Sequence, residues 1–167
     1  MESTPYANLG TLYYFQHRLV DAAEMYKLAL KFEDHDCRVW GSLGAVYRLI
    51  PGWGAAADSA YHQAIALAQG RLQVNPNDPV QLALLAQYYA EVDQTIAARE
   101  TARCALEAGP SRPDVLVFVS AAFEILGDRT AALPDPTPSG SRHPVPGWRR
   151  SQRHPTNDFR PRTSHAG

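Results

Sequence analysis

The sequence predicts an all-α fold in which antiparallel helix pairs stack as an α-solenoid, and three observations carry that prediction. A helical face made of Trp40, Leu43, Gly44 and Tyr47 is preceded 34 residues earlier by Tyr6, Leu9, Gly10 and Tyr13 in the same spacing. Each face is followed by a second apolar stripe, Ala22, Tyr26, Ala29 and Leu30 in the first case, Ala57, Tyr61, Ala64 and Ile65 in the second. Short breaks separate the stripes, so the repeating unit is a pair of helices.

The first unit, residues 3–36, opens with Thr4 as cap and Pro5 in the first turn, breaks at Gln16-His17-Arg18 and continues with the second stripe. The second unit, 37–78, has Asp36 as its cap. Trp40, Leu43, Gly44 and Tyr47 share one face, and Gly44 leaves room there for another helix to approach. It turns at Pro51-Gly52-Trp53-Gly54, where Trp53 is expected to be partly exposed. The apolar pattern then persists through Leu67, Ala68, Leu72 and Val74 to Asn75-Pro76-Asn77-Asp78. That makes the helix seven residues longer than its earlier counterpart, close to two whole turns, so the same face stays inward. The third unit, 79–112, starts with Asp78 as cap and Pro79 in the first turn. Leu82, Leu85, Ala86 and Tyr89 take the signature places, followed by Ala98, Ala102, Ala105 and Pro110. The fourth, 113–133, carries Leu116, Val119, Ser120 and Phe123, turns at Leu126-Gly127-Asp128 and stops after a five-residue stub at 129–133.

From Pro134 the composition changes. Residues 134–167 hold seven prolines and no Leu, Ile or Met, too little apolar surface to offset the entropy of ordering, so a disordered C-terminal tail is expected. The helical pattern is lost in mid-element at Leu133, as a disrupted reading frame would leave it.

The pattern W-x2-L-G-x2-Y, then A-x3-F/Y-x2-A, then Pro, at a period of 34 resembles the tetratricopeptide repeat. The resemblance covers residues 3–133, about three and a half units, and implies a right-handed solenoid whose first helices line a concave groove that binds a protein or peptide. The long second helix of unit two is also similar to repeat arrays that follow the catalytic domain of bacterial Ser/Thr kinases and nucleotide cyclases. That likeness implies the alternative, a regulatory or sensor fragment in bacterial signalling whose catalytic part is missing. No Gly-rich phosphate loop, His-Arg-Asp or Asp-Phe-Gly is present.

Bulk properties point the same way. The 167 residues carry a net charge of −1, with 10 Lys/Arg against 15 Asp/Glu through Leu133 and 6 against 2 beyond it. The basic, aromatic-flanked tail, Trp148-Arg149-Arg150 to Arg162, is read as solvated rather than as a nucleic-acid site. No run reaches the roughly 18 apolar residues of a membrane span, and Met1-Glu2-Ser3-Thr4-Pro5 lacks the shape of a signal peptide. Cys37 and Cys104 are read as reduced thiols of a cytoplasmic protein. His35-Asp36-Cys37 falls at a loop and cap rather than in a metal motif, and Gly52-Trp53-Gly54 lacks the Lys-Ser/Thr of a phosphate loop. The expectation is a scaffold that is not an enzyme, with no catalytic residues, no cofactor and no metal.

Groove residues follow from the first-helix positions that face away from the core stripe. They are Thr4, Ala7, Thr11 and Tyr14; then Arg38, Gly41, Ala45 and Arg48; then Val80, Ala83, Gln87 and Glu91; then Val117, Ala121 and Glu124. Tyr14, Arg38, Ala45, Arg48, Gln87 and Glu91 are the candidate contacts, with Arg38 and Arg48 expected to share one acidic group of the partner. The Lys, Asn and Arg set with which family members hold the C-terminal carboxylate of heat-shock chaperones is missing, so no such clamp is expected. Neither end has a polar cap. Val115, Val117, Phe118, Val119, Phe123 and Ile125 face only a stub, so the chain is expected to be a piece of a longer array or to self-associate through its ends.

Overall fold

The computed structural model describes residues 4–127, and these form seven helices with no strand among them. They are α1 (Thr4–Phe15), α2 (Leu19–Phe32), α3 (Cys37–Leu49), α4 (Gly54–Val74), α5 (Pro79–Glu91), α6 (Thr95–Ala108) and α7 (Pro113–Ile125). The expected second helix of the fourth unit and the tail from Pro134 lie outside the described residues.

Helices start and stop where local chemistry requires. Asp36 accepts a hydrogen bond from the Arg38 amide at 2.9 Å, and Asp78 accepts from those of Val80 and Gln81 at 2.9 and 3.1 Å. Each cap satisfies amides that a helix start leaves bare. Pro79 and Pro113 occupy first turns, where no amide is needed. Thr4, expected as a cap, is already the first residue of α1. The turns within the pairs share a device: His17, Gly52 and Asp93 occupy equivalent places with φ of 56°, 84° and 58°, left-handed conformations that end one helix and redirect the chain. At 21 residues, α4 exceeds the 14 of α2 by the seven that the sequence indicated.

The repeat-signature positions make the contacts that their spacing implies. A Cβ placed on Gly10 would lie 3.0 Å from the Tyr26 ring of α2, and one on Gly44 would lie 3.0 Å from the Tyr61 ring of α4. In the third pair Ala86 and Ala102 stand at the equivalent places, both fully buried, so two alanines replace a glycine and a tyrosine. Leu43, Leu85 and Tyr89 are buried, while Leu9, Tyr13, Trp40 and Tyr47 are half-buried and Pro110 is exposed. One apolar cluster fills the first two pairs and another runs from Cys37 of α3 through α4 to α7, and Trp40 packs against both.

α7 differs in part from expectation. Val115, Val119, Ala122 and Phe123 form one stripe buried against the preceding pair, which already satisfies them. Val117 and Ile125 are exposed and Phe118 is half-buried. At the other end Leu12 and Phe15 of α1 are exposed. Val74, read as part of the apolar stripe of α4, also points outward.

A second close approach occurs at Gly41, where a Cβ would lie 2.5 Å from the Tyr88 ring of α5. Tyr88 is itself buried, and its hydroxyl donates to the Cys37 carbonyl at 3.1 Å, so the ring has no free path aside. Gly41→Ala is therefore expected to lower stability by about 1–3 kcal/mol through overpacking, less roughly 1 kcal/mol of improved helix propensity. Gly70→Ala in α4, where nothing lies within 4 Å, should show the propensity gain alone. Urea unfolding of the two variants tests this, and equal shifts for both would refute the packing role of Gly41.

Candidate functional site

The outward face of α3 is the centre of the expected groove, and its residues have different fates. Arg38, two residues beyond the Asp36 cap, is exposed, and its guanidinium has no ionic or hydrogen-bonding partner among the described residues. Ala45 is half-buried. Gly41 is covered by Tyr88 and is not part of an open surface; Val80 and Ala83 of α5 are likewise buried. The groove floor between α3 and α5 is thus an aromatic side chain rather than bare backbone.

Arg48 departs from the expectation of an arginine turned towards a partner. Its Nη2 donates to Asp58 Oδ1 of α4 at 2.8 Å and to the Glu91 carbonyl of α5 at 2.7 Å, and its Nε stands 3.8 Å from Glu91 Oε2. The guanidinium carbon lies 5.7 Å from the centre of the Tyr61 ring. The reason is geometric: α4 begins and α5 ends beside the last turn of α3, so a carboxylate and an unsatisfied terminal carbonyl converge on one cation. Arg38 and Arg48 are not brought together on one ligand position.

Burial pushes the Glu91 carboxyl above its usual range, with the Tyr61 hydroxyl and Arg48 pulling the other way. The Tyr61 hydroxyl is driven far up, first by burial and then by Glu91. Gln87 stands one turn before Glu91 and is half-buried. Tyr14 is half-buried too, edge-on to Phe15 at 5.6 Å between ring centres. Thr11 is turned to its own repeat, its hydroxyl 2.9 Å from that of Tyr26.

Residues outside the groove fall into place by packing. Trp53 is 39% exposed and leans on Tyr47 at 5.1 Å. Cys37 is buried with its thiol 3.6 Å from Gln81 Oε1, and burial raises its pKa. His35 lies beside Asp34 at 3.3 Å. Among the described residues no three His, Cys, Asp or Glu converge as a metal site, and no helix is long and apolar enough to cross a membrane. Tyr88 and Asp58 were not legible as parts of this region. Gly41, three residues before Gly44, was the available sign that a second ring would need room.

Glu91 gives a pH test. A carboxyl held above its ordinary value of 4.5 binds its proton better in the folded than in the unfolded chain. Its contribution is fully present below that value and is lost as pH rises through the folded pKa. Relative to Glu91→Gln, the wild-type chain should therefore lose stability as pH is raised from about 4.5, read as the difference in urea midpoint between the two across pH 4 to 8. A difference that is flat, or that grows in favour of the wild type, would contradict the burial of that charge.

No family model and no curated protein sequence matches the chain. Among solved structures it is similar to the first TPR of Spaghetti (RPAP3) bound to the HSP90 peptide SRMEEVD, at 16% identity and a TM-score of 0.49, over 75% of this chain and 94% of that one. It is also similar to YrrB, a TPR protein with an unusual peptide-binding site, at 16% identity and a TM-score of 0.36, over 79% and 81%. The fold described above rests on its own helix pairing and not on these likenesses.

Proposed function

We propose that the chain is a non-catalytic interaction scaffold that takes an unidentified protein segment, an extended peptide or a helix, across the outward face of α3 and α5, with Arg38 as its charged anchor. The observation that carries this reading is the contrast between the two arginines. Arg48 is held by Asp58 and Glu91 of its own chain, whereas Arg38 stands exposed and unpaired among the described residues, two helical turns from the half-buried Ala45 on the same face of α3. A free guanidinium on a helix face that also carries a small side chain suits a partner's carboxylate carried on an approaching backbone.

Titration displaced by burial is accounted for by packing. Cys37, Tyr61, Tyr88, Tyr89 and Glu91 are all shifted upward mainly by burial, and each faces a group of its own chain. Such groups serve the array, and none of them is an activated nucleophile or base on the surface.

Selection of a displayed random-peptide library on the immobilised chain tests the proposal. Acidic sequences should be enriched, and titration of an enriched peptide should weaken about tenfold with Arg38→Glu, a charge reversal at a contact, while the urea midpoint stays unchanged because Arg38 is exposed. A selection in which no enriched peptide loses affinity with Arg38→Glu would overturn the assignment.

A further inference from the structure

Behind α3, on the side opposite Arg38 and Ala45, a cleft of about 400 Å³ opens between α2 and α4. Its floor is apolar, formed by Leu30, Trp40 and Leu43 with Tyr47 at one end. The indole nitrogen of Trp40 is satisfied by the Asp34 carbonyl at 2.8 Å, so the ring presents carbon to the cleft. The two rims differ in charge. α2 contributes Lys27 and Lys31, one helical turn apart, and α4 contributes only the small Ala56, Ser59 and Ala60. Lys27 has Glu24 at 3.4 Å, both half or more exposed; Lys31 is exposed and has no partner among the described residues.

The next inter-repeat junction serves as an internal comparison. There His62 and Ala66 occupy the places of the two lysines, and the cleft is smaller, about 270 Å³. A hydrogen bond from Gln69 Nε2 to the Tyr89 hydroxyl, 2.7 Å, spans its wall. Cationic rim and open apolar floor occur together only at the first of these two junctions.

We infer that this first cleft is a second docking site, independent of the groove, which takes one large apolar side chain of a partner protein with an acidic residue next to it in sequence. Charge complementarity selects the occupant. Two ammonium groups on one rim favour a carboxylate there, while the uncharged opposite rim lets the backbone pass. The cleft opens broadly to solvent, too shallow to enclose a free small molecule, whose surface is normally 70–90% buried when bound. An anchored side chain keeps its backbone outside and needs no such enclosure. This chain's own segment 134–167, with 6 Lys/Arg against 2 Asp/Glu, carries the wrong charge for the site.

The test uses the full chain and two synthetic peptides, acetyl-Gly-Asp-Phe-Asp-Glu-Gly-amide and its Asn/Gln counterpart, followed by amide NMR shifts and anisotropy. The acidic peptide is expected to shift the amides of Leu30, Lys31, Trp40 and Ala60, and to bind at least about tenfold more tightly than the neutral one. Lys31→Glu should weaken it about tenfold, and Ala56→Trp, an exposed position at the mouth, should abolish it with helicity by circular dichroism intact. Arg38→Glu should leave it unchanged, which separates failure here from failure of the groove reading. Absence of shifts at the cleft, equal binding of the two peptides, or indifference to both cleft variants would overturn the proposal. So would loss of self-association in Ala56→Trp without loss of peptide binding, because the occupant would then be a second copy of this chain.

Discussion

The contact on which the array depends is a tyrosine ring laid against a glycine of the neighbouring helix. A helix pair joined by a turn of a few residues can bring its axes close only where one surface lacks side chains, and Gly10 and Gly44 provide that gap for Tyr26 and Tyr61. The ring supplies a large apolar area at the place where the backbone is barest, so packing density is kept with no cavity. In the third pair the same space is shared between Ala86 and Ala102. Two small residues do there what one large and one absent side chain do elsewhere. Volume at the contact, rather than residue identity, is what the fold requires.

The two extra turns of α4 impose a second version of the same constraint. With α4 lengthened, α3 meets α5 mainly through side chains, and Tyr88 fills the space over Gly41. At the far end of α3, Arg48 closes the same gap with polar atoms, holding Asp58 and the end of α5 at once. The apolar and polar bridges are complementary. A ring alone would leave the last carbonyls of α5 unsatisfied, and an ion pair alone would leave a void near Cys37. Because Glu91 is pushed upward by burial, the polar bridge works against desolvation of that carboxylate.

Most of the helix map was legible because it is written in local signals: proline in first turns, aspartate caps, and apolar spacing at three and four. Trp40, Leu43, Gly44 and Tyr47 announce their contacts within a single octapeptide, and the length of α4 follows from where Asn75-Pro76 falls. Contacts between units leave no such trace. Tyr88 to Gly41 spans 47 positions and Arg48 to Glu91 spans 43, so no periodicity links them. Arg48 looked like a free cation because its anions arrive from two other helices. The inward stripe of α7 was misjudged for a related reason: the apolar residues of a last helix divide between the pair before it and whatever comes after, and spacing alone does not say how many belong to each.

α3 thus carries two surfaces that do not compete. Positions 38 and 45 point one way, and 40, 43 and 47 point the other, on opposite sides of the same helix. Between them lie the residues that hold α3 still: Gly41 under Tyr88, Gly44 under Tyr61, and Arg48 in its bridge. Energetic coupling between two ligands requires an element with two arrangements that both ligands bias. A helix pinned by rings on two faces and by an ion pair at its end resists that kind of movement, since any shift opens a gap at one glycine and a clash at the other. The expected behaviour of such a helix is additive: occupants of the two faces raise each other's local concentration, as linked modules do, without altering each other's intrinsic affinity.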